Sequence, residues 1–341
     1  MNEAKPGQSD MKKLCAILSL VGLAACGGNP FVDPDDGGGD GGPDPVAIVV
    51  PANLKNNIQS VKYTPGATRA TDRLEIQITG LDTTPLVATW ARRPSLDTAG
   101  YTAFAVQEDA LDRLFIGLAR SSADNGAAGS SATNSVSAVL AGDGGQFNKV
   151  FSGTVYAREG AFDAPTATGS GPGTGQVSYA GRYVGLGNGG GSGAELLPLP
   201  PGTDPATVPG QAGRVRGDVF INANFADSTV GGVIFNRVQV DTGFGLESVV
   251  LVPTSILANG TFGGTTERSL NASGADSPNG IFGGVFGGTD ASAVAGAISL
   301  NQVFDGDNNV IEDALERGIF VLNQCGLAGV AVDPGCAGTA P

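Results

Sequence analysis

Beyond Gly144, apolar and polar residues alternate with a period of two through one short segment after another, the pattern of strands that bury one face. Residues 214–225 are the clearest case. Val215, Gly217, Val219, Ile221, Ala223 and Phe225 fall on one side and Arg214, Arg216, Asp218, Asn222 and Asn224 on the other, with Phe220 out of step. The turn residues ADST at 226–229 lead into an apolar run at 230–240, so the two segments predict a hairpin. Equivalent runs at 151–158, 176–184, 248–257, 260–266, 280–287 and 294–300 bring the strands to eight, with a ninth candidate at 318–322. Antiparallel strands with one polar face predict an up-and-down barrel, closed so that no edge is left unpaired. Glycines inside the strands, among them Gly181, Gly217, Gly283 and Gly284, mark expected bends at barrel corners. A lipid-facing transmembrane barrel would use the same alternation, but its outward rows would be apolar, and here they are polar.

Residues 46–144 read differently. Strands are predicted at 74–78 and 86–90, and a loop at 121–135. Between them Leu111, Leu114, Phe115 and Leu118 recur at helical spacing, which predicts a helix within 107–120. The expected fold is therefore mainly β: an eight-stranded antiparallel up-and-down β-barrel over 145–322, preceded by a smaller mixed α/β region over 46–144.

The chain begins with a different kind of pattern. Lys12 and Lys13 precede an apolar run at 14–23, followed by Ala24, Ala25 and Cys26. This is the layout of an export signal, and the run is too short to span a bilayer as a helix. The tetrapeptide Leu23, Ala24, Ala25, Cys26 resembles the lipobox of bacterial lipoproteins. The resemblance implies that residues 1–25 are removed and that Cys26 is acylated, making the lipid bilayer the first partner of the chain. Gly27 stands where an aspartate would favour the inner membrane, so the expected location is the outer membrane, lipid-anchored, on its periplasmic or outer face. Either Met1 or Met11 serves as a start. Residues 26–45 are rich in glycine and aspartate and almost free of apolar side chains, the composition of a solvated tether. As a coil its span is roughly 25 Å.

Composition narrows the chemistry. The chain has no histidine, which excludes Ser-His-Asp and Cys-His nucleophilic sites and His-ligated zinc or haem. A formal net charge of −14 argues against nucleic acid as a partner. The 55 glycines lack the period of collagen. No nucleophile-elbow, metalloprotease or Walker motif occurs, so no catalytic residue and no cofactor is assigned; paired carboxylates for glycoside hydrolysis stay open. Gly185, Gly187 and Gly190 satisfy a dinucleotide-binding spacing, but a proline-rich stretch follows instead of a helix, so an inter-strand loop is expected. That loop, 186–212, is long enough to carry binding residues. Asp305, Asp307, Asn309 and Glu316 fall on positions of a calcium loop, yet Val310 replaces its turn glycine and Glu312 its apolar residue, leaving them weak candidates. Once Cys26 is committed to lipid, Cys325 and Cys336 form a pair, and a disulfide closing a loop within 323–341 is expected.

The order of the strand motifs resembles a known family. The segment NGIFGGVFGGTDASAVAGAISL at 279–300 looks like the glycine-phenylalanine hairpin of the barrel lobes of transferrin-binding protein B. SGTVYAREG at 152–160, SYAGRYVGLG at 178–187 and DVFINANFADSTVGGVIFN at 218–236 are similar to its earlier strands, in order. Factor H binding protein and other surface lipoproteins of Gram-negative bacteria are relatives of that family. The resemblance implies a single barrel with 46–144 as a handle-like domain, where transferrin-binding protein B has two lobes. It therefore implies the scaffold and not transferrin binding. The expected function is that of a non-enzymatic envelope lipoprotein holding a protein or a nutrient-related solute through its loops. Iron or haem is among such nutrients, and a TonB-dependent receptor is among the partners. A passive surface protein and, further off, a hydrolase are the alternatives.

Overall fold

The computed structural model describes residues 48–80, 86–123, 134–165, 175–268, 278–307, 309–327 and 333–337. The signal segment, the tether with Cys26, and most of the loop expected at 121–135 lie outside them.

One turn of helix, α1 (Ala52–Lys55), precedes seven strands: β1 (Ile58–Thr64), β2 (Arg73–Ile78), β3 (Leu86–Arg92), β4 (Thr102–Val106), β5 (Phe115–Ser121), β6 (Val136–Asp143) and β7 (Ser152–Arg158). Each pairs with the next to give a seven-stranded antiparallel meander. The sheet curls until β7 approaches the start of β1. There Asn57 N–H donates to the Ser152 carbonyl over 3.1 Å, and Ser152 N–H returns a bond to Asn57 Oδ1. Leu54 of α1 is fully buried in the curl. β2 keeps one wet face, with Leu74, Ile76 and Ile78 buried and Arg73 and Glu75 exposed, so its alternation was visible in the sequence.

β5 was not visible. In place of the helix expected within 107–120, the chain makes a turn and enters a strand. Leu114, Phe115 and Leu118 are buried, but so are Ile116 and Ala119 between them, while Leu111 is exposed. A strand covered on both faces loses its period of two, and its apolar residues then match a helical template by chance. The mixed character of this region comes down to α1 and short 3-10 turns.

The barrel follows. Its strands are β8 (Gln176–Gly187), β9 (Gly213–Asn224), β10 (Thr229–Gln239), β12 (Val249–Ser255), β13 (Thr261–Arg268), β14 (Pro278–Gly287), β15 (Ala293–Leu300) and β18 (Glu316–Gln324). Neighbours pair antiparallel all the way round, and the β9–β10 and β18–β8 pairings close the ring of eight strands. A two-residue strand β11 (Gly245–Leu246) extends the edge beside β10, and β16 (Val303–Phe304) and β17 (Val310–Ile311) form a small ribbon in the β15–β18 connection. The count expected from sequence holds with one exchange. The segment at 151–158 belongs to the seven-stranded sheet as β7, and the ninth candidate, at 318–322, closes the barrel as β18.

β15 shows how the two sheets meet. Every residue in it is buried. Val294, Ile298 and Leu300 point into the barrel with Phe282, Phe286 and Phe320, whereas Ala293, Ala295 and Ala297 point outward into the core shared with the seven-stranded sheet. Small side chains on the outer wall let the sheets approach closely, and large ones fill the interior to native density. On the free wall the outward rows are polar: Arg182 of β8 pairs with Asp218 of β9, its direct cross-strand neighbour. The strand glycines expected to mark bends serve packing. None of Gly181, Gly217, Gly283 and Gly284 has a positive φ, and a Cβ on Gly284 would overlap the ring of Phe262.

A tyrosine joins the two sheets at a seam. β18 and β8 share one register on either side of a gap, with Phe320 opposite Tyr183 and Asn323 opposite Ala180, but no ladder pairing in between. The hydroxyl of Tyr101, which lies just before β4, sits in this gap. It accepts from Val321 N–H at 2.8 Å and donates to the Arg182 carbonyl at 2.9 Å, bridging the two strands. Tyr101→Phe leaves both backbone groups without that partner, and a loss of about 1–3 kcal/mol in unfolding free energy is expected. Chemical denaturation measures it, and amide exchange at Val321 should quicken while that of β13 stays unchanged.

Candidate functional site

The barrel has two unlike ends. At one, the connections are tight: residues 225–228, 256–260 and 288–292 join their strands. This end is closed by aromatic packing, with Phe286 5.0 Å from both Phe225 and Phe262, and Phe162 against Phe225. Tyr179 donates to the Ala291 carbonyl at 2.6 Å. Cys325 and Cys336, which follow β18 here, are joined in a disulfide with 5.5 Å between their Cα atoms.

At the other end the long connections gather: 188–212, 240–248 and 301–315. Most of the first is a strap laid on the seven-stranded sheet. Ser95 donates to Glu195 at 2.6 Å, Leu197 N–H to Gln107 at 2.8 Å, and Gln146 to the Thr207 carbonyl at 2.7 Å. The strap therefore holds the two sheets together, and its first residues, 188–190, border an open space at the end of β8. Gly185 and Gly187 are strand residues at the end of β8.

That open space is a cavity of about 320 Å³. Val215, Leu246, Val303 and Ile311 form its apolar walls, Asn188 and Gln239 line it, and the acidic residues Glu312, Asp313 and Glu316 complete the lining, the first two exposed. Phe244 and Val310, both exposed, lie on the connections of the same end.

Glu316 forms the floor. Its carboxylate accepts from Tyr183 Oη at 2.6 Å and from Arg237 Nη2 at 2.7 Å, with both charged side chains almost wholly buried. Arg237 also donates to the Glu247 carbonyl, which ties the 240–248 connection to the barrel floor. Each acid oxygen keeps a second lone pair for another donor. The described residues do not bring the four calcium-loop positions together. Asp305 accepts from the backbone of Asp307 and Asn309 and from the Asn309 side chain, which builds a turn, while Glu316 points into the barrel. Among the described residues no three His, Cys, Asp or Glu side chains group to hold a metal ion. The pairing of Arg237 with Glu316 escaped sequence reasoning, because it needs the register that brings the middle of the barrel sequence to its last strand. The available signal was an arginine among apolar residues in the run at 230–240.

All five tyrosines, Tyr63, Tyr101, Tyr156, Tyr179 and Tyr183, are buried. Burial pushes the phenol of Tyr101 up to about 12, and it raises those of Tyr156, Tyr179 and Tyr183 further, helped at Tyr183 by the charge of Glu316. A phenol whose folded pKa is raised contributes stability fully below the unfolded value near 10, and loses it as pH rises through the folded value. Stability should therefore fall above about pH 10 by up to ~1.4 kcal/mol per unit for each of these phenols. In a spectrophotometric titration their tyrosinate absorbance should appear together with loss of β-sheet circular dichroism, not ahead of it.

The fold is thus a filled barrel with a second sheet against its wall and its long connections gathered at one end. The chain is similar to the structure of intact Ap-TbpB with its N and C lobes, at a TM-score of 0.35 and 12% identity over 77% of this chain and 43% of that one. It is similar to transferrin-binding protein B from serogroup B Neisseria meningitidis, at 0.31 and 11% over 75% and 42%. A structure described as a surface lipoprotein matches at 0.30 and 15% over 73% of this chain and 92% of that one. The chain spans only about half the length of the transferrin-binding protein B chains it matches, from 41% to 54%. No family model and no curated protein matches it. The closed ring of eight antiparallel strands is the barrel that the strand motifs led one to expect.

Proposed function

We propose that this chain is a lipid-anchored envelope protein that holds a ligand at the long-loop end of its barrel, without catalysis. The observation that carries the reading is the open cavity there, walled by apolar side chains and floored by a held carboxylate, at the end that also exposes Phe244 and Val310. Sites of this kind combine an apolar wall with a few placed polar groups. The export signal and the lipobox-like Leu23 to Cys26 support anchoring in the outer membrane through acylated Cys26. The structures it is similar to include proteins named for transferrin binding and one named a surface lipoprotein, which agrees with a protein or solute ligand at the envelope. An iron or haem ligand would have to be met by carboxylates or by the bound partner, since the tyrosines are buried and histidine is lacking. A TonB-dependent receptor fits as a partner in that case.

Two measurements test the reading. Palmitate labelling in cells should vanish in Cys26→Ala; label that persists overturns the anchor. The purified chain should bind a component of serum or spent medium saturably, in iron-starved or iron-replete growth. Empty captures under both conditions would favour a passive surface protein.

A further inference from the structure

The loop-end cavity has a charge pattern that selects its ligand. Glu312 and Asp313 stand at its rim, and neither carboxylate forms a salt bridge among the described residues. The cations of this end are engaged elsewhere. Arg214 bonds to Asp241 at 2.8 Å and to Thr98, Arg237 to Glu316, and Arg317 to the Leu300 carbonyl; the guanidinium of Arg268 lies 4.0 Å from the ring centroid of Phe304. Arg216 is exposed on β9, on the opposite face from Val215, whose side chain lines the cavity. Arg237 balances the floor acid, so the uncompensated charge is that of the two rim acids. Below them lie Val215, Leu246, Val303 and Ile311, with the Gln239 amide beside them.

We propose that this cavity takes an organic cation: an alkylammonium or alkylguanidinium group whose apolar stem lies against those walls while its N–H donors meet the carboxylates. The size fits a short chain, at the small end of the range of ligand pockets, roughly 300–1,000 Å³. A low-dielectric wall beside two acids strengthens the attraction beyond that at open surface, and an anion would meet both repulsion and desolvation. This inference rests on the loop end being the ligand end. The same cation chemistry comes from two sources: a free amine, or a lysine or arginine side chain that a partner protein inserts.

The test uses the full chain in detergent micelles, titrated calorimetrically with n-butylammonium, n-butylguanidinium, n-butanol and butyrate, and with short peptides carrying one central lysine or arginine. Saturable binding of the cations, weakened at least tenfold in Glu312→Gln/Asp313→Asn and absent for butyrate, supports the site. Binding of free cations assigns a small solute; binding of the peptides alone assigns a partner's side chain. Equal binding of butanol and the cations, binding untouched by the double substitution, or no binding by any cation overturns it. If the double variant still captures the same serum or medium component with full affinity, the ligand end stands and only the cation assignment falls.

Discussion

Replacing Arg237 with methionine lowers the unfolding free energy by about 3–5 kcal/mol, the range for removing one partner of a buried ion pair. Arg237 and Glu316 are each only about 2% exposed, and among the described residues no other charged side chain is bonded to the Glu316 carboxylate. Without the guanidinium, the carboxylate keeps only the hydroxyl of Tyr183 and must either stay charged in the barrel floor or take up a proton. Glu316→Gln in the same background removes the stranded charge, so the double variant should recover much of the loss. Equilibrium denaturation of the wild type, both single variants and the pair gives the coupling directly. Near-additive losses in the pair would mean that the floor admits water and that the ion pair is not truly desolvated. The pair also fixes the mouth: Arg237 holds the Glu247 carbonyl, so loosening of the 240–248 connection should accompany the loss.

The legible parts of this fold are those with one wet face. The run at 214–225 carried its inward row correctly, because Val215, Val219, Ile221 and Ala223 are buried and Arg216 and Asn222 are exposed. Strands covered on both sides hid. β4, β5 and β6 lie between the core of the curled sheet and their surroundings, with residues buried almost throughout. Continuous burial erases the period of two that sequence reading depends on. β7 hid in another way, since alternation shows that a strand exists but not which neighbour it pairs with. The site divides along the same line. The long connections of the cavity end were visible as breaks between runs, whereas the floor was not. Glu316 matched a loop position by spacing, yet it sits at the start of β18, where the barrel register brings it to Arg237. Local pattern gives elements; the meeting of distant elements needs closure of the sheet.

Gly318→Ala should be nearly as damaging as the loss of Arg237, at about 3 kcal/mol, although it adds a single methyl group. Gly318 lies on β18 opposite Gly185 of β8, and the ring of Tyr183 lies over it. A Cβ there would overlap the hydroxyl, Cζ and Cε2 of that ring at once, so a small tilt does not relieve it. Tyr183 is fully buried, and its hydroxyl holds Glu316 at 2.6 Å. The ring can move only by giving up that bond, which leaves the acid with one fewer donor in a place where unmet polar groups are costly. Overpacking in a tight core costs about 1–3 kcal/mol, and the lost hydrogen bond adds to it. Shortening the obstructing side chain tests the cause. Tyr183→Leu in the Gly318→Ala background removes the overlap, so the pair should be destabilised by less than the sum of the single variants. Thermal and denaturant unfolding of the set decides it. Full additivity would show that the methyl group is harmful for its effect on the strand itself and that the ring above it is free to move.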